Sequence, residues 1–423
     1  MSTAKKSNNG QHYALKDWGR AAETALFYGF TPVKTPRIDK KDLNLGQIIL
    51  EQKKEIIYPH KLYPRPEERA AVLRTYNEWQ LSNMPQPVML YYERPFGGVK
   101  ERRAPNEVQI GLEIIGAGGG VADAVALKTT FSILSDYGLK NLVVEINSLG
   151  DRESILRFDR ELSTFVRKQS NQVAPELRQA FRQDPFEALF SKKEDVEKNY
   201  RELRSRAPQT LGCLTEPSAL HFKEVLEHLE ALEMPYRINH GLLPERQYCS
   251  HTTFEIHSID EGEVGKTNGN TASGASEGRE ASDEIVAFGS RHNHISKKIG
   301  FKKDIPMMSV NIAFKKKTPD PKAILKSRFK PRFYFIQFGN IAKLKSLPLI
   351  ETLRRANIPV HHSLTRDKFV SQLSVAEDTA SPFVIIMGQK EALENTVVVR
   401  HSVTRAQQIV SILDLPRYLS KLR

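Results

Sequence analysis

The sequence has few cysteines and no long apolar run. Only Cys213 and Cys249 occur among 423 residues, and neither belongs to a CxxC or CxxH pair, which argues against a disulfide framework. The longest apolar runs, such as residues 383–388, are much shorter than a membrane span. The first residues are polar and lack the apolar stretch of a secretory signal. We therefore expect a cytoplasmic protein with no membrane partner.

Positive charge is in excess. The chain has 63 Lys and Arg against 50 Asp and Glu, which gives a formal charge of +13 and a pI near 9.5. Residues 297–332 hold twelve Lys or Arg against only two acids, Asp304 and Asp320. Such a concentration is typical of a surface that follows a phosphate backbone. It favours a nucleic-acid partner, although a basic protein without one remains an alternative.

Composition and hydrophobic periodicity divide the chain into two folded parts. The predicted units are a disordered N-terminus (1–12), a main domain (13–318), a basic linker (319–331) and a small α/β domain (332–423). Within the main domain, the charged stretch at about 151–208 predicts a helical insertion, and the Gly- and Ser-rich stretch at about 260–283 predicts a mobile loop. In the small domain, residues 404–421 are predicted to be helical.

A predicted hairpin in the main domain carries polar residues in a regular pattern. Its strands lie at about 87–96 and 106–116, and the intervening loop contains Lys100, Arg102 and Arg103. Gln109 and Glu113 are separated by two pleats of the second strand, so their side chains share one face. By themselves they could simply be polar residues satisfied inside a sheet.

The chain resembles histidyl-tRNA synthetase, a class II aminoacyl-tRNA synthetase, over almost its whole length. The similar segments are FYGFTPVKTPRI, YPRPEERAAVLR, YYERPF with VQIGLEIIG, INHGLLPERQYCSHTTFEI, and LRRANIPV with VVVRHSVTRAQQ. The resemblance implies an α+β fold, with a class II synthetase-like antiparallel sheet, flanking helices, the helical insertion and a C-terminal α/β anticodon-binding-like domain. It also implies tRNA or another RNA as partner, a homodimer formed through the first segment, and ATP and Mg²⁺ as cofactors if the chain is active.

Several catalytic positions of that family are changed here. Tyr91 stands where the family has an arginine directed at the α-phosphate, and Pro244 stands where it has a catalytic arginine. Arg246, two residues further on, could take that place if the strand register shifts. The nucleotide-binding positions implied by the resemblance are Glu93, Arg94, Arg102, Arg103 and Lys316.

The resemblance also implies the substrate pocket and an RNA-binding surface. The pocket positions are Glu67, Arg69, Gln109, Glu113, Tyr248 and Cys249. Glu68 and Arg69 replace a glycine and a threonine of the family, so bulk and charge enter the pocket. The implied RNA contacts in the small domain are Arg400, His401, Arg405 and Gln407.

No metal site is predicted from the sequence. His292 and His294 alternate on a possible strand, but no third ligand accompanies them.

Replacing a cation of a phosphate site removes a charge-assisted hydrogen bond, at a cost of about 1.5–3 kcal/mol. The sequence therefore favours a synthetase-like, tRNA-binding protein of translation in which aminoacylation is weak or lost. Two alternatives remain: an active, divergent histidine–tRNA ligase, and a relative of the regulatory subunit of ATP phosphoribosyltransferase.

Overall fold

The structure is a computed structural model of the chain. It describes residues 19–51, 60–94, 96, 106–169, 171, 173, 175, 178–190, 201–260, 282–316, 332–366 and 368–422. The predicted disordered terminus, most of the predicted mobile loop, the whole of the basic linker, and the hairpin residues Lys100, Arg102 and Arg103 lie outside these ranges.

An eight-stranded sheet organises the main domain. Its strands are β1 (Thr31–Pro32), β2 (Val88–Glu93), β3 (Glu107–Ile115), β4 (Leu142–Ser148), β5 (Tyr236–Ile238), β6 (Ser250–Asp260), β7 (Ser282–Arg291) and β8 (Met307–Lys315). Their order across the sheet is β1-β2-β3-β8-β7-β6-β4-β5. The six inner strands, from β2 to β4 in this order, pair with one another in antiparallel fashion. The two edge strands, β1 and β5, pair in parallel with their neighbours.

Helices surround this sheet and form the insertion. They are α1 (Arg20–Phe27), α2 (Lys40–Ile49), α3 (Pro66–Glu78), α4 (Gly120–Asp136), α5 (Arg152–Lys168), α6 (Arg178–Gln183), α7 (Pro185–Phe190), α8 (Arg201–Ser205), α9 (Glu216–Ala231) and α10 (Ile295–Lys298). Proline at the first position of α3 suits its start, because the missing N–H has no intrahelical partner there. Asp151 caps α5 by accepting a hydrogen bond from the Ser154 amide at 2.8 Å.

The two faces of the sheet differ in chemistry. Ile110, Leu112 and Ile114 of β3 are buried in the main apolar core, which also contains residues of α1, α4 and α9. The alternate residues of the same strand, including Gln109 and Glu113, point to the opposite face. This polar face lies beneath α3 and carries the candidate site.

The insertion has an apolar cluster of its own, which includes Phe158, Leu162, Phe186 and Leu189. The amphipathic α5 supplies the first two side chains, so the charged stretch folds by burying one helical stripe.

A five-stranded sheet forms the small C-terminal domain. Its strands are β9 (Phe333–Gln337), β10 (Val360–His362), β11 (Phe383–Met387), β12 (Thr396–His401) and β13 (Gln407–Ser411), in the order β10-β9-β11-β12-β13. Its helices are α11 (Asn340–Arg355), α12 (Phe369–Asp378), α13 (Gln389–Leu393) and α14 (Leu415–Lys421). The helix predicted over 404–421 is therefore wrong in its first half, because residues 407–411 pair with β12 as an edge strand.

The two domains meet at a buried polar junction centred on Glu351 of α11. Its carboxylate accepts hydrogen bonds from the Tyr28 hydroxyl and from Arg354 Nε at 2.9 Å, and Lys128 Nζ lies 3.3 Å away. Arg354 also reaches Asp136 of α4 at 3.2 Å. One apolar cluster continues across this junction, from Ala21 and Val125 to Leu347.

This architecture confirms the predicted fold class. Among the described residues, no helix combines the length and apolar character that crossing a bilayer requires.

Candidate functional site

Glu113 lies at the centre of the polar face and is completely buried. Its Oε1 accepts hydrogen bonds from Arg69 Nη1 at 2.5 Å and from the Tyr92 hydroxyl at 2.7 Å. Its Oε2 accepts one from the Ser309 hydroxyl at 2.5 Å. Both carboxylate oxygens therefore already have protein partners.

Arg69 reaches Glu113 from the first turns of α3, which crosses this face of the sheet. Its side chain is fully buried, and its Nη2 lies 3.6 Å from Glu68 Oε2. Glu68 in turn accepts a hydrogen bond from Arg94 at the end of β2. Burial raises the pKa of Glu113, and the Arg69 guanidinium opposes that shift. A positive side chain of the protein thus lies beside Glu113 and neutralises its carboxylate.

Glu67 precedes Glu68 and Arg69 in α3, and burial raises its pKa. It packs against Gly46 of α2, whose ideal Cβ would lie only 3.1 Å from the Glu67 amide nitrogen. The next two residues of α3, Glu68 and Arg69, form the ion pairs of the polar face.

Tyr91 and Tyr92 belong to opposite faces of β2. Tyr91 pairs with Leu112 and lies in the main apolar core with Phe27 and Tyr28. Tyr92 pairs with Gly111, covers that glycine and donates to Glu113. In this register, Tyr92 is the tyrosine that lies on the polar face beside Glu113. Tyr91, which the resemblance placed at the α-phosphate position, lies on the opposite face, against the helices.

Tyr248 and Cys249 lie in a buried group beside β7. The Tyr248 hydroxyl donates to the Pro64 carbonyl at 2.9 Å, and Cys249 Sγ lies 3.5 Å from the Ser290 hydroxyl. His292 Nδ1 is 3.0 Å from the Tyr248 carbonyl, so this nitrogen carries the proton and donates. Burial lowers the pKa of His292 to about 3 and raises the pKa of the Cys249 thiol to about 12. At neutral pH the group holds a neutral imidazole and an unreactive thiol.

Arg246 is directed at the helical insertion. Its Nε lies 3.0 Å from Asp159 Oδ1, and its guanidinium carbon lies 4.1 Å from the centre of the Phe186 ring. Pro244 is buried in the loop before β6. Arg246 therefore ties this loop to α5 and α7, and its guanidinium is not brought to Glu113.

The remaining nucleotide-binding candidates are spread along the hairpin and β8. Glu93 is exposed at the end of β2, while Arg94 is buried and stacks over Phe96 at 5.6 Å. Gln109 donates to Glu107 at 2.8 Å. The Lys316 amide follows β8 and bonds to the Asn106 carbonyl at 2.8 Å.

A short segment before α3 covers the middle of the polar face. The Leu62 carbonyl accepts a hydrogen bond from Asn311 of β8 at 2.9 Å. The Tyr63 ring stacks on Phe288 of β7 with centroids 4.2 Å apart, and its hydroxyl donates to Glu255 of β6 at 2.9 Å. Apolar and aromatic side chains therefore lie on the three central strands.

The RNA-contact candidates lie around the β12–β13 hairpin. Arg400 is half-buried and pairs with Gln407, whose side chain is exposed. His401 Nδ1 accepts hydrogen bonds from the amides of Val403 and Thr404 at 3.2 Å, which shapes the turn. Arg405 is exposed in that turn with φ of 59°. The hairpin thus presents Arg405 and Gln407 to solvent.

The sequence noted Glu68 only as a replacement of a family glycine, and it did not identify Tyr92 or Ser309 as members of the cluster. Strand alternation could have identified Tyr92. It lies two residues after Leu90 on the same face of β2, and Leu90 is paired with Glu113. Ser309 comes from a distant strand, and only the β3–β8 pairing brings it opposite Glu113.

Comparison of the sequence with known proteins finds a matching domain family and similar full-length proteins. The anticodon binding domain family model matches residues 341–422. A histidine–tRNA ligase of Geobacillus thermodenitrificans is 28% identical over 411 residues, which cover 93% of this chain and 90% of the relative.

Solved structures are also similar. The apo histidyl-tRNA synthetase of S. aureus matches with a TM-score of 0.48 and 20% identity, over 94% of this chain and 92% of that one. A protein of Bacillus halodurans described as an ATP phosphoribosyltransferase regulatory subunit/histidyl-tRNA synthetase matches with a TM-score of 0.43 and 13% identity, over 87% and 92% of the two chains.

A large antiparallel sheet joined to an anticodon-binding domain defines an aminoacyl-tRNA synthetase-like protein. Within that class, the chain is a relative of the histidyl-tRNA synthetases, as the segments of the sequence indicated.

Proposed function

We propose that this chain binds tRNA through its C-terminal domain and that its aminoacylation activity is weak or lost. The observation that carries the second part is the Arg69–Glu113 ion pair, in which both side chains are fully buried. A synthetase must bind its amino acid before it can activate it, and Glu113 is among the pocket positions that the resemblance implies. In this chain a protein side chain already neutralises the carboxylate at that place.

The electrostatics of the pocket support this proposal. Adenylation depends on cations that offset the charge developing on the α-phosphate. Within the described part of the chain, Arg69 is engaged with Glu113, Arg94 with Glu68 and Arg246 with Asp159. One cation directed at a transferring phosphoryl group contributes about 10³–10⁵ in rate in well-studied cases. Engagement of all three in internal pairs is therefore expected to suppress the reaction strongly.

The RNA-binding part rests on the family match of residues 341–422 and on the basic character of the chain. Arg405 and Gln407 are exposed on the β12–β13 hairpin, with Arg400 beside them. Such side chains supply phosphate and base-edge contacts in nucleic-acid complexes.

Histidine-dependent ATP–pyrophosphate exchange tests the catalytic part. We expect exchange by the full chain to be at the level of a reaction without histidine. A motif-complete histidyl-tRNA synthetase, assayed in the same buffer with ATP and Mg²⁺, is the control. Exchange at the rate of that control would contradict the proposal.

A gel-shift titration with tRNA at several salt concentrations tests the binding part. We expect Arg400→Gln and Arg405→Asn each to weaken binding and to reduce the salt slope by about 1, as removal of one phosphate contact predicts. Asn is chosen at 405 because it tolerates a positive φ. Arg417→Gln, an exposed substitution on α14, is the matched control. Equal effects of all three substitutions, or binding without salt dependence, would contradict these contacts.

An active, divergent histidine–tRNA ligase is the second candidate. It is favoured by the 28% identity with a protein of that name over 93% of this chain. Under this alternative the loop between β2 and β3 supplies the missing cations. Exchange that is sensitive to Arg102→Gln and Arg103→Gln would support it, because both residues belong to that loop.

A further inference from the structure

Two carboxylates face each other on the neighbouring strands β4 and β6. Glu145 lies directly opposite Glu255 in the antiparallel register, and His257 follows two residues further along β6 on the same face. All three residues are buried, with exposed fractions of 8%, 5% and 7%. Like charges directly opposite each other destabilise a sheet, and burial increases their repulsion. A cation close to both carboxylates would relieve this repulsion.

Each of the three side chains also has a hydrogen-bonding partner outside the group, here called its outer partner. Arg237 Nε donates to Glu145 Oε1 at 2.7 Å, and Tyr63 donates to Glu255 Oε1 at 2.9 Å. Asp283 lies 2.7 Å from His257 Nδ1. A carboxylate on one imidazole nitrogen is the usual way in which proteins orient the other nitrogen towards a metal ion.

His257 Nε2 supplies the second, independent observation. This nitrogen is buried and makes no hydrogen bond within the described part of the chain, and its side chain is only 9% exposed. It points to the gap between the carboxylates, with Glu255 Oε2 at 3.4 Å and Glu145 Oε2 at 3.8 Å. One ligand atom from each of the three residues lies within 4.8 Å of the other two.

Among the ion pairs that the structure describes at this place, charge is unbalanced when His257 is neutral. Glu145, Glu255 and Asp283 contribute three negative charges, and Arg237 contributes one positive charge. A divalent cation would compensate the remaining two. One imidazole nitrogen and two carboxylate oxygens form a donor set that suits zinc, with a fourth position left for water.

We propose that Glu145, Glu255 and His257 bind one divalent transition-metal ion, with zinc as the best fit. Asn239 also donates to Glu145 and completes the outer partners of that ligand. The ion links β4 to β6, and Tyr63 connects it to the segment that covers the polar face. This site is separate from the Arg69–Glu113 pair and does not depend on the proposed RNA role.

Metal analysis of the full chain provides the test. The protein is dialysed against a chelator and titrated with Zn²⁺, and the bound metal is counted after gel filtration. We expect one zinc per chain, bound at micromolar or tighter affinity, together with a rise in melting temperature on zinc addition. Replacement by Co²⁺ should give the visible absorption of a low-symmetry site.

Variants separate this site from adventitious binding. His257→Gln and Glu255→Gln should abolish the stoichiometric zinc, while Asp283→Asn should weaken its affinity about 10–100-fold, as loss of an outer partner does. His240→Gln removes an exposed histidine and should leave binding unchanged. Far-UV circular dichroism of the metal-free forms checks that each variant folds.

Two results would overturn the proposal. Zinc binding that is equal in the wild type and in His257→Gln would show adventitious sites only. Absence of binding to the wild type at micromolar zinc would show that these three side chains do not form a metal site.

Discussion

At the scale of single residues, the Arg69–Glu113 pair balances the charge at the centre of the polar face. Both side chains are fully buried, so neither can exchange its partner for water. Isolating one member of such a pair is strongly destabilising, because an uncompensated charge remains in a medium of low polarity.

We expect Arg69→Met to lower the free energy of unfolding by about 3–5 kcal/mol, since it leaves Glu113 without its cation. Urea denaturation followed by circular dichroism measures this. The double substitution Arg69→Met with Glu113→Gln should restore much of the stability, because no buried charge remains.

Arg157→Met is the matched control for that experiment. Arg157 pairs with Glu153 on the exposed face of α5, with side chains 45% and 61% exposed. Its removal should change stability by about 0.5 kcal/mol or less. Equal effects at positions 69 and 157 would show that the buried pair contributes no more to the free energy of unfolding than the exposed pair does.

Sequence patterns predicted the residues of this site only in part. The shared face of Gln109 and Glu113 follows from strand alternation, and the structure has that alternation in β3. The contact of Arg69 with Glu113 depends on how α3 crosses the sheet, which no local periodicity contains. The assignment of Tyr91 follows from alignment alone, whereas the phase of β2 directs Tyr92 to the pocket.

At the scale of elements, the β2–β3 hairpin depends on one glycine. A Cβ at Gly111 would lie 2.3 Å from the Tyr92 ring, so only glycine lets that ring lie over β3. Tyr92 in turn donates to Glu113. The close approach of ring and strand therefore helps to fix the pocket.

We expect Gly111→Ala to destabilise the chain by about 1–3 kcal/mol, because Tyr92 must leave its place or strain the strand. Thermal unfolding measures the destabilisation. Gly118→Ala is the control, since its Cβ would meet only Pro306 among the described residues, at 3.8 Å. If Gly111→Ala destabilised the chain no more than Gly118→Ala does, the close packing of Tyr92 on β3 would be contradicted.

Elements with strong periodicity were predicted well, and the final segment was not. The helix α5 and the strand β3 follow from their apolar spacing. Residues 407–411 instead form a short edge strand, three of whose residues are exposed. Pairing with β12 stabilises it, and a sequence pattern of five residues cannot reveal such a partner.

At the scale of the whole molecule, Glu351 connects the two domains. Burial alone would raise the pKa of this carboxyl, but hydrogen bonding to Arg354 and the charge of Lys128 outweigh it and lower the pKa to about 2. A depressed pKa stabilises the folded state above the unfolded value of about 4.5. That contribution is lost as the pH falls from there towards 2.

We expect Glu351→Gln to lower stability at pH 7 by about 1.5–3 kcal/mol, through loss of charge-assisted hydrogen bonds. The variant should also lose less stability than the wild type between about pH 5 and pH 3, because it lacks the titrating carboxyl. Urea unfolding at a series of pH values measures both effects. Glu227→Gln, whose partner Lys223 is 70% exposed, should leave both quantities unchanged.

We also expect the chain to form a homodimer, since residues 27–38 resemble the dimer-forming element of class II synthetases. Sedimentation equilibrium should then give about twice the chain mass of 48.1 kDa. A single species of one chain mass at micromolar concentration would refute this.

The occupied carboxylate of Glu113 has a pharmacological consequence. The amino group of an aminoacyl-adenylate mimic is positively charged, and the Arg69 guanidinium already neutralises the Glu113 carboxylate with which such a group could pair. If the function proposed above holds, inhibitors of that design should bind this protein more weakly than they bind a motif-complete synthetase.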